Sequence, residues 1–133
     1  MITLKTVTNS DIRFLFDLLE KRDSIANISH KKMPSYIQHT QFVKSRPYSK
    51  WYIILKEKEK IGSIYLSKNN EIGLSILESE KTKNTQKIAL NELIKKNPRK
   101  RFLANVSPKN KNLISFFKKN DFKLIQYTFE KIK

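Results

Sequence analysis

Apolar residues in this chain recur at every second position, then every third or fourth, then alternate again, and the changes of period mark out the elements. Residues 2–7 alternate Ile2, Leu4 and Thr6 against Thr3, Lys5 and Val7, which predicts a strand. Asn9 or Ser10 is placed to cap a helix with Asp11 in its first turn; Ile12, Leu15, Phe16, Leu18 and Leu19 keep helical spacing to about Arg22. Residues 23–34 show no period and end at Pro34, so they read as a loop. Ser35 can cap a second helix that carries Tyr36, Ile37, Phe42 and Val43 and stops before Pro47.

A β-rich stretch follows. The run Trp51-Tyr52-Ile53-Ile54-Leu55 is aromatic and β-branched, as a buried strand requires. Charged residues 56–60 predict a hairpin turn, residues 61–66 a strand, Lys68-Asn69-Asn70 a turn, and residues 71–77 a third strand of the meander. The period then lengthens: Ile88, Ala89, Leu90, Leu93 and Ile94 predict a helix closed by Asn97 and Pro98. Residues 102–106 predict a strand, Leu113 to Phe117 a helix and residues 122–132 a last strand. The order is βααβββαβαβ. Hairpins in the first half and βαβ units in the second imply a mixed α/β sheet in a single domain over 1–133.

Composition narrows the possibilities. A chain of 133 residues with 38% hydrophobic content holds one core. It has no cysteine, which excludes disulfides, thiolate metal sites and a cysteine nucleophile, and only His30 and His39 offer imidazole, so no metal is expected. No apolar run reaches the roughly 20 residues of a membrane span, and the first residues lack a signal-peptide core, which predicts a cytoplasmic protein. The net charge is +16. It draws polyanions, yet it comes from 23 lysines against 5 arginines, beside 11 asparagines and 16 isoleucines. That mixture reads more simply as AT-rich codon usage than as a nucleic-acid face, for which arginine's fork is the better tool. Nucleic acid is therefore not the expected partner.

In this order the local sequences resemble the GNAT acetyltransferase superfamily along nearly the whole chain. The stretch "WYIILKEKEKIGSIYL" is similar to the family's second and third strands, and "NEIGLSI" to its fourth, where the cofactor's pantetheine arm docks. "KIALNELI" resembles the helix after the phosphate loop, and "NVSPKNKNLISFFKKNDFKLI" the C-terminal signature. The resemblance implies a mostly antiparallel sheet of six to seven strands flanked by about four helices. It also implies acetyl-coenzyme A as cofactor, a small-molecule amine as substrate, and a monomer or homodimer. Within the superfamily, Lys21-Arg22-Asp23, Ser29, His39, Phe42 and Trp51 resemble a branch that includes acetyltransferases of nucleotide-linked amino sugars, as in pseudaminic-acid synthesis. Lys21, Asp23 and Gln41 depart from that branch's pattern. Arg22, Ser29, His39 and Trp51 are the acceptor-binding residues it implies.

The family's phosphate loop reads Arg/Gln-x-x-Gly-x-Gly/Ala and delivers backbone N–H groups and a helix dipole to a pyrophosphate. Aligned on Ala89-Leu90, it falls on Lys81, Thr82, Lys83, Asn84, Thr85 and Gln86, with Lys87 following. Asn84 and Gln86 stand where glycines allow left-handed angles and close approach. Asn tolerates such angles, whereas Gln86 puts a long side chain beside the phosphate. Lys81, Lys83 and Lys87 supply charge instead.

For acyl transfer to an amine, a base must accept the amine's proton and a donor must polarise the carbonyl. The resemblance implies a backbone N–H near Ile76 or Leu77 as the donor and Asn110 as a cofactor contact. Glu71 and His39 are the candidate bases, with Glu78 behind them. The family's tyrosine acid is replaced by Phe117, and its glycine before Phe122 by Asp121. Two other readings remain at this level: acetylation of a protein or peptide amine, and a non-catalytic GNAT fold serving as a basic module for polyanions.

Overall fold

The computed structural model describes residues 1–21 and 33–133. Strand β1 (Ile2–Thr6) leads through a 3-10 turn (Asn9–Asp11) into α1 (Ile12–Glu20). Helix α2 (Tyr36–Lys44) precedes the meander β2 (Lys50–Lys56), β3 (Glu59–Leu66) and β4 (Glu71–Ile76). Helix α3 (Thr85–Lys96), the short β5 (Leu103–Ala104) and α4 (Lys111–Lys119) complete the described elements. Together they form the mixed α/β fold that the sequence implied. Arg22, Ser29 and His30 lie outside the described residues.

The sheet runs β1-β2-β3-β4-β5, antiparallel except for the parallel β4–β5 pair. Its two faces follow from alternation along β2. Tyr52 and Ile54 point to one side, where Ile64, Leu66 and Ile72 meet Ala89, Leu90 and Leu93 of α3. Ile53 points to the other, against Val7, Ile12, Leu15 and Val43 beneath α1 and α2. Asn97 fastens the end of α3 to the sheet, its buried amide donating to the Tyr52 hydroxyl at 3.1 Å and the Leu93 carbonyl at 3.0 Å.

The caps are local in origin. Ser35 Oγ accepts from the Gln38 amide while Gln38 Oε1 accepts from the Ser35 amide, a capping box that starts α2 where expected. Ahead of α1 the pair is Thr8 and Asp11 rather than Asn9 or Ser10. Asp11 is fully buried and is met by Lys5 and Lys60, each at 2.7 Å. Burial alone would raise its carboxyl pKa, but these ammonium groups and the Thr8 N–H outweigh burial and hold it at about 2.

Three expectations are corrected. The sheet has five strands among the described residues, not six to seven. The strand expected over 102–106 pairs only at Leu103–Ala104, because β5 diverges from β4 beyond that point. The strand expected over 122–132 is not formed: this stretch has strand-like composition but no ladder partner among the described residues.

Candidate active site

Strands β4 and β5 pair only at Glu71↔Leu103 and Ile72↔Ala104. Past these two rungs the chains separate, and a cavity of about 180 Å³ opens between them. Gly73, Leu74 and Ser75 form one wall and Asn105, Val106 and Ser107 the other. Leu113 and Phe117 of α4 close the apolar side, while Tyr48, Tyr65 and Glu71 line the opposite side.

On the side facing β5, the β4 backbone past Ile72 has no ladder partner among the described residues. The Leu77 amide donates to the Ile61 carbonyl at 2.9 Å and the Ser67 amide to the Glu71 carbonyl at 2.8 Å. Antiparallel alternation therefore turns residues 71, 73, 75 and 77 toward β3, and the backbone groups of Leu74 and Ile76 toward the cleft. Of the two expected carbonyl donors, Ile76 presents its N–H to the opening; that of Leu77 is taken by Ile61.

Glu71 is half-buried at the start of β4. Its Oε1 accepts from Ser67 Oγ at 3.2 Å and its Oε2 from Asn105 Nδ2, so both walls of the cleft hold the carboxylate in place. Among the described residues it is the one charged side chain that lines the cavity. In a chain of net charge +16, the described lining of the cleft therefore contains a carboxylate and no cation.

The aromatic side of the cleft depends on a glycine. Gly73 lies opposite Tyr65 in the β3–β4 register, and a Cβ at 73 would overlap the Tyr65 ring. Tyr65 stacks on Tyr48 with centroids 3.7 Å apart and planes within 4°. Trp51 meets Tyr48 edge-on at 4.8 Å and Phe42 at 6.1 Å. Trp51 thus buttresses the cleft from behind without lining it. The sequence alone does not single out Tyr48 and Tyr65, although a glycine and an aromatic residue in adjacent strands are a readable signal once the register is known.

His39 is elsewhere. It is buried between α1 and α2, edge-on to Phe16 at 5.6 Å, and burial lowers its pKa from the usual 6.5. Its Nδ1, like Thr40 Oγ1 and Trp51 Nε1, is buried without a hydrogen-bond partner among the described residues. The structure brings Glu71 into the cleft and leaves His39 out of its lining.

At the far end of β4 the chain turns into α3 through the expected phosphate loop. No residue from 81 to 87 has a positive φ, and Asn84 has φ −77°. The loop therefore does not use the left-handed backbone that glycine would permit. Thr85, Gln86 and Lys87 form the first turn of α3, whose amides have no intrahelical acceptor and no other backbone acceptor among the described residues. Two of the three lysines are engaged: Lys81 pairs with Glu78 at 2.8 Å and Lys83 with Glu80 at 3.2 Å. Glu80, buried, also accepts from Lys56 and from the Thr85 hydroxyl, which withdraws that hydroxyl from the loop surface. Burial would raise the Glu80 pKa; Lys83 and Lys56 more than reverse this and lower it. Exposed Lys87 has no ion-pair partner among the described residues. Gln86 is half-buried, and Thr82 and Asn84 are exposed.

Asn110 serves as the N-cap of α4, its Oδ1 accepting from the Leu113 amide at 3.2 Å. Phe117 is buried against Phe116 and Phe122 and offers no hydroxyl to the cleft. A broader depression on the outer face of α4, between Lys111, Lys118 and Lys119, is open to solvent and gathers like charges only.

No family model and no curated protein sequence matches the chain. Solved structures do. An acetyltransferase from Thermus thermophilus superposes with a TM-score of 0.73 at 16% identity, over 95% of this chain and 89% of that one. RimL, a ribosomal L7/L12 alpha-N-protein acetyltransferase in complex with coenzyme A, gives 0.77 at 19% identity, over 94% and 81%. A spermidine N-acetyltransferase SpeG chimera from Vibrio cholerae and hSSAT gives 0.68 at 13% identity, over 89% and 78%. The fold of this chain is the GNAT fold that these acetyltransferases share.

Proposed function

We propose that the chain is an N-acetyltransferase that passes the acetyl group of acetyl-coenzyme A to a primary amine of a small molecule. One observation carries the reading: a strongly basic chain keeps a single anchored carboxylate, and no cation, among the described residues lining the cleft where its central sheet splits. The cofactor fits the groups on either side. The unpaired Leu74 and Ile76 backbone would hold an extended amide-bearing arm, as a missing strand would be held. The free amides of Thr85, Gln86 and Lys87, with the Lys87 ammonium, would hold its pyrophosphate.

Acetyl-coenzyme A, when bound, supplies the activated acyl group. Glu71 holds the acceptor's ammonium and takes its proton at a carboxylate oxygen, while Ser67 and Asn105 fix its orientation. Leu113 and Phe117 keep water from the apolar side of the cleft. Phe117 has no proton to give, so water at the cleft mouth supplies the acid. The Tyr48–Tyr65 stack offers a flat face to the acceptor body. The ring of a nucleotide-linked amino sugar is the acceptor that the sequence resemblance favours.

Isothermal titration tests the cofactor and steady-state kinetics the base. Acetyl-CoA binding to wild type and to Glu71→Gln should be equal, while kcat/KM for an accepted amine falls on the order of 100-fold or more in the variant. Absence of heat at millimolar acetyl-CoA would sink the proposal. Salt-sensitive heparin retention without acetyl-CoA binding would point instead to a basic polyanion-binding module.

A further inference from the structure

Averaged over the chain, the lysine excess reads as composition, but its distribution is uneven. Lysine and arginine are 28 of 133 residues, yet five of the seven residues 95–101. No aspartate or glutamate occurs from 93 to 120, a stretch that holds nine lysines and arginines. The fold gathers the densest part at one end of the sheet. Lys95 and Lys96 lie in the last turn of α3, and Arg99, Lys100 and Arg101 follow on the way into β5. The turn between them is held firmly, because buried Asn97 donates to Tyr52 and Leu93. The Leu103 amide donates to the Asn70 carbonyl at 2.9 Å, which brings the β3–β4 turn and Lys68 to the same end. All six residues are exposed, and none has an ion-pair partner among the described residues. Two lysines are enough to offset the C-terminal dipole of α3, roughly half an elementary charge. The other four cations have no such role. The patch is also remote from the loop over 81–87: that loop opens α3 and the patch closes it, about 18 Å away along twelve residues of helix.

We propose that this end of the sheet binds the phosphate backbone of a nucleic-acid duplex without reading its sequence. Six like charges with no carboxylate among them repel one another, and a polyanion relieves that repulsion. The choice among polyanions follows from what the patch lacks. No large apolar side chain is exposed between residues 89 and 123, and Ile94 and Phe102 pack against the core. An anionic membrane is gripped by charge together with inserted apolar groups, and an acidic protein by charge around a buried anchor. Neither kind of group is present here. A single strand is held by bases stacked on aromatic rings, and the patch exposes no ring. A duplex backbone needs only cations. Arg99 and Arg101 supply the fork that engages phosphate oxygens in pairs. None of the six cations lines the cleft or belongs to the loop over 81–87, so this binding does not depend on the proposed acetyl transfer.

Fluorescence anisotropy with a labelled DNA duplex of about 20 base pairs reads the binding. At about 50 mM salt the wild type should bind in the micromolar range, equally to duplexes of unrelated sequence. The double variant Arg99→Ala and Arg101→Ala should bind roughly 10-fold or more weakly, and its log–log salt slope should fall by about 2. Lys68→Glu, on a different turn, should weaken binding as well. A charge-matched double variant, Lys21→Ala and Lys58→Ala, alters exposed residues at the end of α1 and in the β2–β3 turn. It should stay within about twofold of wild type. Melting temperatures should be unchanged throughout, since none of these side chains is buried or ion-paired among the described residues. Equal weakening by the two double variants would assign the binding to net charge and overturn the proposal. So would the absence of duplex binding at about 100 µM protein. Binding to phosphatidylglycerol vesicles that the 99/101 variant abolishes, with duplex binding intact, would overturn it in favour of a membrane.

Discussion

The Tyr65 ring occupies the space that a Cβ at Gly73 would need, directly across the β3–β4 pair. Gly73→Ala forces the ring away and with it the 3.7 Å stack on Tyr48. The expected cost is about 1–3 kcal/mol of stability, the usual range for overpacking. On the proposed activity, KM for the amine should rise severalfold while acetyl-CoA affinity holds. Denaturant titration and steady-state kinetics read the two effects separately. Gly73→Ala combined with Tyr65→Ala should recover the stability lost to the clash and not the acceptor affinity.

On the proposed function, the lysines of the loop over 81–87 rank differently as phosphate contacts. Lys87 has no ion-pair partner among the described residues, and Lys81 is already neutralised by Glu78 at 2.8 Å. Lys87→Ala should weaken acetyl-CoA binding roughly fivefold, about 1 kcal/mol at low salt. Lys81→Ala should weaken it less. Titration at two ionic strengths checks this, and the gap between the variants should narrow as salt rises.

Acid stability should depend on Asp11. Its pKa falls from 3.8 unfolded to about 2 in the folded chain, so the folded state binds fewer protons between these values. The stabilisation is complete above pH ~4 and is lost as pH falls toward 2, a contribution of about 2 kcal/mol. Asp11→Asn should lower stability at pH 7 by a similar amount and flatten the loss between pH 4 and 2. Chemical denaturation across that range is the measurement.

Asp121 ends α4 with φ 70°, in the left-handed region. The Phe122 amide donates to the Phe117 carbonyl at 3.0 Å and the Asp121 amide to the Lys118 carbonyl at 3.3 Å, the paired bonds of a Schellman cap. Asp121→Gly should stabilise the chain by about 1 kcal/mol by relieving that strain, seen as a rise of several degrees in Tm. An unchanged or lower Tm would show that Asp121 is not strained.

Elements whose signal is local were legible in the sequence. Ser35 and Gln38 write the start of α2 within four residues, and Ala89, Leu90 and Leu93 write the buried face of α3. The features that make the cleft are pairwise and distant. Nothing near Leu103 announces that it would pair with Glu71 for only two rungs, and nothing near Tyr48 announces its stack on Tyr65. Glu71 was visible as a candidate because it opens a strand, but its anchoring by Asn105 spans 34 residues. Residues 124–129 show the complementary failure. Their pattern is that of a strand, but a strand needs a neighbour, and the described sheet does not supply one.

The entry into α3 has a consequence for how this chain can change. Because residues 81–87 turn on ordinary right-handed or extended angles, the backbone places no demand for glycine at 84 or 86. Substitutions at exposed Thr82 and Asn84 alter the loop surface without refolding the turn, whereas Lys83 is held by its pairing with buried Glu80. What the entry into α3 requires is the course of the backbone rather than particular residues at 84 and 86.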